Sequence, residues 1–136
     1  MRPQTNYIVV HCSATEPNQN IGVEEIRQWH MAHGWDDVGY HVVIRRTGKI
    51  EFGRQMDAVG AHVRGHNRES VGICMIGGLD SEGRPANTFT RQQFDALHEV
   101  LDVLLLAYPG AEILGHRDFP GVQKECPCFD VKDWFE

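Results

Sequence analysis

Two short apolar runs constrain this chain more than any other feature. Tyr7–His11 (YIVVH) and Val71–Ile76 (VGICMI) are continuous and rich in β-branched residues. Runs of that length and composition read as strands buried on both faces. Helical periodicity lies between and beyond them. Val23, Ile26, Trp29, His30 and His33 are spaced as one face of an amphipathic helix, stopped by Gly34 as a C′ glycine. Thr90 and Gln93 fit a capping box, and Phe94, Leu97, Leu101, Leu104 and Leu105 continue it as a helical stripe to about Tyr108, where Pro109-Gly110 ends it. His41–Arg46 and Lys49–Arg54 flank a Thr47-Gly48 turn and predict a hairpin. Ala111–Leu114 predicts a short strand, and Asp130 the cap of a short terminal helix. The order is strand, helix, hairpin, strand, helix, strand, short helix. It predicts an α/β fold, a sheet covered by helices.

A length of 136 residues suits a single domain spanning 1–136. A chain of that size buries enough surface to fold without disulfides. The formal charge is −6, from 13 Lys and Arg against 19 Asp and Glu. That balance argues against a nucleic-acid partner, which a basic stripe would announce. No segment approaches the roughly 20 apolar residues of a membrane span, and Met1–Asn6 holds no apolar signal core. The expectation is a protein without membrane insertion, held in the cytoplasm of its host cell until something releases it to the periplasm or wall, and read as a monomer.

Chemistry concentrates in four cysteines and eight histidines. Cys12, Cys74, Cys126 and Cys128 contain no Cys-x-x-Cys pair, so neither a four-cysteine zinc site nor a thioredoxin-type motif is present. Disulfides are disfavoured in a cytoplasmic product. His11 ends one buried strand and His116 follows another, where open α/β sheets place their sites. Cys126 lies ten residues after His116. Two imidazoles and a thiolate would leave a fourth zinc position open. Spacing alone leaves two readings standing: a mixed His/Cys metal site, or core histidines with inert buried thiols. Cys12 follows His11 on a strand and is expected on the opposite face; Cys74 is expected to be a small core residue.

Several segments carry a family resemblance. They are Val10-His-Cys-Ser-Ala-Thr15, Asp37-Val-Gly-Tyr-His41, Val59-Gly-Ala-His62, Ser70-Val-Gly-Ile-Cys74, Gly77-Gly78, Gly115-His-Arg-Asp118 and Lys124-Glu-Cys-Pro-Cys-Phe-Asp130. In that order and near that spacing they resemble the zinc N-acetylmuramoyl-L-alanine amidases of the amidase-2 family, which includes the peptidoglycan recognition proteins and phage endolysins. The resemblance runs from about Tyr7 to Trp134. It implies a mixed central sheet with helices on both sides and a cleft bearing one zinc. The substrate it implies is the amide between the lactyl group of N-acetylmuramic acid and L-alanine in peptidoglycan.

Residue by residue, the resemblance makes His11, His116 and Cys126 the metal ligands and Tyr40 and Lys124 the catalytic pair. It places His62 near the substrate groove. The chemistry suits these roles: Lys124 would bring positive charge to a developing oxyanion, and the Tyr40 phenol could orient water, relay a proton or donate to the oxyanion. Cys128 stands where a phage relative has serine. Residues two apart on an extended stretch face the same way, so geometry leaves either Cys126 or Cys128 able to reach the metal, and only the resemblance selects Cys126. Two alternatives follow from the same family. One is a peptidoglycan-binding module without catalysis. The other is a regulator contacting RNA polymerase, as one phage member does.

Overall fold

Strand β1, Tyr7–Cys12, lies inside the sheet with a neighbour on each side. The computed structural model describes residues 1–122 and 125–135. After β1 come α1 (Val23–Ala32), β2 (Val42–Ile44), β3 (Ile50–Phe52), β4 (Ser70–Met75), α2 (Arg91–Ala107), β5 (Glu112–Gly115) and α3 (Val131–Phe135). The strands form one sheet in the order β3-β2-β4-β1-β5. β1 pairs in parallel with both β4 and β5, and β2 in parallel with β4. Only the edge hairpin β2–β3 is antiparallel, so the sheet is mixed. The α/β expectation and the element order both hold.

The apolar runs behave as strands buried on both faces. Ile8, Val9 and Val10 of β1 are buried, as is every residue of β4. On one face, Ile8, Val10, Ile73 and Met75 pack against Ala96, Leu97, Leu101 and Leu104 of α2 and against Phe129 and Val131 at the start of α3. On the other, Val43 and Cys74 pack with Val23 and Ile26 of α1. Val9 and Leu114 pack there with Val63 and Phe119. Helices therefore cover both sides. Among the described residues, no helix is long and apolar enough to cross a membrane.

The capping box forms as expected. Thr90 Oγ1 accepts from Gln93 N–H at 3.1 Å, and Gln93 Oε1 accepts from Thr90 N–H at 2.9 Å. Gln93 also does what no local pattern announces: its side-chain amide donates to the Ile44 and Ile76 carbonyls at 3.2 and 2.8 Å, tying α2 to the ends of two strands. Helix α1 departs from its predicted stripe. Val23 and Ile26 are buried, but Trp29 is 43% exposed. The end of that helix meets a loop instead of the sheet: His30 Nδ1 accepts from Gly39 N–H at 2.8 Å, and its ring lies against Trp35. Gly34 adopts φ +94°, as a C′ glycine should. The hairpin strands are shorter than the sequence suggests, though backbone pairing continues beyond them, from Arg45 N–H to the Lys49 carbonyl at 2.9 Å and from Gly53 N–H to the His41 carbonyl at 3.0 Å.

Candidate metal centre and cleft

Strand register brings the two distant histidines together. β1 and β5 pair Val10 with Gly115. The residue after each, His11 on β1 and His116 just past the end of β5, therefore emerges beside the other at the C-terminal edge of the parallel strands. Their ring centroids are 4.5 Å apart. Cys126 arrives from the loop that follows. Its carbonyl accepts from Arg117 N–H at 2.9 Å, and its Sγ accepts from Cys12 N–H at 3.1 Å. One donor atom from each of His11, His116 and Cys126 lies within 4.8 Å of the others.

That donor set fits a metal. Two ring nitrogens and a thiolate at ordinary zinc distances would stand roughly 3.5 Å apart in a tetrahedron, and three protein ligands leave one position open. Among the described residues this is the one cluster of three or more His, Cys, Asp or Glu side chains that could hold an ion. It borders a cleft of about 990 Å³ whose walls include Tyr40, His62, His30, Trp35, Arg64 and Asn67.

The two neighbouring thiols separate in the structure. Residues 126–128 do not continue as an extended stretch. Cys128 has φ +74°, which turns its Sγ to the Gly78 carbonyl at 3.3 Å and away from the histidines. Burial and the nearby Cys12 push the Cys128 thiol up to about 11. Cys12 lies on the face opposite His11, as alternation requires. Its thiol is held protonated far above the usual range by its contact with Cys126 and by burial. Cys74 is fully buried between core residues.

Tyr40 lies on the cleft wall, its ring centroid 5.1 Å from that of His11. Burial, then the thiols of Cys74 and Cys126, raise its phenol well above the ordinary range. Tyr40 is therefore a hydrogen-bond donor at any neutral pH. The loop carrying it is clamped at Asp37, which accepts from Arg27 Nε at 2.9 Å and from Val38 N–H at 2.7 Å. Arg54 adds a bond from Nε to the Val38 carbonyl at 2.7 Å. Lys124 lies outside the described residues.

His62 borders the cleft, but both of its ring nitrogens are engaged inside the protein. Nδ1 meets His11 Nε2 at 2.9 Å, and Nε2 meets Ser70 Oγ at 3.2 Å. Burial drives its pKa down to about 3, so it is neutral at physiological pH. Sequence reasoning also missed cleft residues. Trp35 is 42% exposed directly after the Gly34 helix stop, and a tryptophan beside a helix end was the available signal. His30 reads from sequence as an unremarkable helix residue. Asn67 has no local signature; its side-chain oxygen accepts from both His62 and Val63 N–H at 2.9 Å, fixing the cleft floor.

Comparison with known proteins agrees with this geometry. The family model for N-acetylmuramoyl-L-alanine amidase matches residues 1–129. The chain belongs to that amidase family. An endolysin of Klebsiella phage KP32 is 50% identical over 135 residues, covering 99% of this chain and 88% of the relative. Among solved structures, the N-acetylmuramoyl-L-alanine amidase LysC from Clostridium intestinale superposes with a TM-score of 0.82 at 30% identity, covering 97% of this chain and 83% of that one. The wild-type Drosophila recognition protein PGRP-LB superposes at 0.75 with 26% identity, covering 92% and 75%. With endolysins and amidases among its relatives, this chain is a peptidoglycan-hydrolysing amidase, and the donor set at the cleft bears on the metal it would use.

Proposed function

We propose that this amidase-family chain is a zinc-dependent peptidoglycan hydrolase of the endolysin type. It cleaves the amide between the lactyl group of N-acetylmuramic acid and L-alanine. The observation that carries the reading is the convergence of His11, His116 and Cys126 beside Tyr40 in one open cleft. A purely binding module would have no use for three convergent soft and borderline donors. His11, His116 and Cys126 would hold zinc, which would supply a water of pKa near about 7 and polarisation of a carbonyl oxygen.

The chain's own residues supply the rest. The cleft holds the muramyl peptide so that its first amide meets the donor set. Tyr40, protonated and fixed by the Asp37 clamp, donates to the oxygen on which negative charge develops. Lys124, two residues before Cys126, would add positive charge there, as the family resemblance implies. Cys12 N–H bonds to Cys126 Sγ and orients the thiolate. The enzyme is proposed to remain in the cytoplasm of an infected cell until it gains access to the wall.

Purified sacculi incubated with the protein should release separated glycan strands and peptides with free L-alanine amines, read by mass spectrometry. Chelation should stop the reaction and added zinc restore it. Released disaccharides, or full activity in protein shown by elemental analysis to be metal-free, would overturn the proposal.

A further inference from the structure

His62 sits where a substrate-groove residue was expected, yet both of its ring nitrogens are bonded within the protein, one of them to His11. These bonds form a chain whose direction is set at its far end. Ser70 Oγ donates its only proton to the His66 carbonyl at 2.8 Å. It can therefore only accept from His62, so the hydrogen of the neutral His62 ring is on Nε2. His62 Nδ1 is then an acceptor, and the atom facing it at 2.9 Å, His11 Nε2, is the donor. A neutral His11 with its proton on Nε2 carries its lone pair on Nδ1.

The fold is shaped around this ring. A Cβ on Gly72 would stand 2.6–2.7 Å from three atoms of the His62 ring, and one on Gly60 would stand 2.8 Å from its Cδ2. Only glycine at both positions leaves room. Gly72 lies on β4 opposite Val9 of β1, two residues before His11, on the sheet face that His11 shares. Asn67 fixes the His62 backbone from below.

We infer that His62 is a positioning residue for the metal centre: through the chain His11–His62–Ser70–His66 carbonyl, it holds His11 in the tautomer that presents Nδ1 to the metal. This rests on the reading of His11 as a metal ligand. Histidine ligands commonly donate their second N–H to a neighbouring acceptor, and loss of that acceptor typically costs about 10–100-fold in metal affinity. Here the acceptor is a second histidine, itself anchored to a backbone carbonyl.

The test measures zinc affinity by competition with a chromophoric chelator, and the His11 tautomer by 15N–1H NMR correlation, in the full chain. The wild type should bind about one zinc and show the His11 proton on Nε2. His62→Leu, which removes the acceptor, should bind zinc about 10–100-fold more weakly. His62→Asn, which places an acceptor oxygen near the Nδ1 position, should recover most of that loss. Ser70→Ala, one step further along, should keep the fold and give a smaller loss, which keeps the inference testable if His62→Leu does not fold. A His62→Leu protein that is folded and binds zinc within twofold of wild type overturns the inference, as does a His11 proton found on Nδ1. Equal losses in the Leu and Asn variants would also sink it, by showing that volume alone matters. Absence of zinc binding in the wild type would instead defeat the metal reading on which it rests.

Discussion

Acidification should weaken this protein through a histidine far from solvent. His41 is fully buried. Its Nδ1 accepts from Gly72 N–H at 3.0 Å, and its Nε2 donates to the Ala58 carbonyl at 2.8 Å. Both ring positions are thus matched only in the neutral tautomer. A proton added to Nδ1 would face another N–H. Arg2 Nη1, 3.4 Å from Nε2, adds a second positive charge beside any imidazolium. Burial first, and Arg2 with it, lowers the His41 pKa from 6.5 to about 4. The folded state therefore holds fewer protons than the unfolded one between those values. Stability is complete above pH 6.5 and falls as pH drops toward 4, below which the loss is constant. The displacement corresponds to about 3 kcal/mol in total, or at most about 1.4 kcal/mol per pH unit inside the window. Urea unfolding of the metal-free protein from about pH 7.5 to 4.5 measures it. His41→Gln, which keeps one donor and one acceptor but does not titrate, serves as the reference. The difference in unfolding free energy between the two should change by roughly 2–3 kcal/mol between about pH 6.5 and 4.5. If the two proteins lose stability in parallel across that range, the argument from His41 is wrong.

Other perturbations address the cleft and the core. Tyr40→Phe should lower kcat on sacculi by about 10²–10³ with little change in KM and none in bound zinc, because the donor acts on charge that develops during reaction; unchanged turnover would remove Tyr40 from the mechanism. Cys126→Ser should lose most bound zinc and activity under reducing conditions, whereas Cys128→Ser should keep both, since the Cys128 thiol points to Gly78; the reverse pattern in elemental analysis would move the ligand by two residues. Gln93→Leu should destabilise the fold by about 2–4 kcal/mol in urea, because it leaves the Ile76 carbonyl and Thr90 N–H without their partner; a loss below about 1 kcal/mol would show that water replaces it.

Legibility in the sequence tracked the range of the interactions. The buried strands, the α2 stripe and its capping box are local patterns, and each formed where its residues place it. The end of α1 departs from the pattern because His30 and Trp29 fit a helical stripe, while the partner that decides their fate, the loop at Trp35 and Gly39, is tertiary. The three donors at the cleft could be named only with help from family resemblance, since 105 positions separate the histidines and no spacing rule spans that distance. The bond of His62 to His11 and those of Gln93 to the Ile44 and Ile76 carbonyls had no local signal. Each depends on groups contributed by strands distant in the chain, and Gly72 reads from sequence merely as a gap in an apolar run. The split between Cys126 and Cys128 turned on a backbone reversal at Cys128, an unusual conformation for a residue with a side chain.

The pairing of Val10 with Gly115 also sets a schedule. β1 leaves the ribosome before β5, with every other strand of the sheet between them, so β1 must wait for its final neighbour. Until that neighbour arrives, His11 has no companion imidazole from His116, and the third donor follows later still. Closing so long a loop is an entropic cost met only when the sheet completes. Nascent chains that have not yet reached Cys126 lack the three-donor set. With the proposed donor set, hydrolytic competence would be coupled to completion of the fold, with no separate inhibitor required to keep unfinished chains inert.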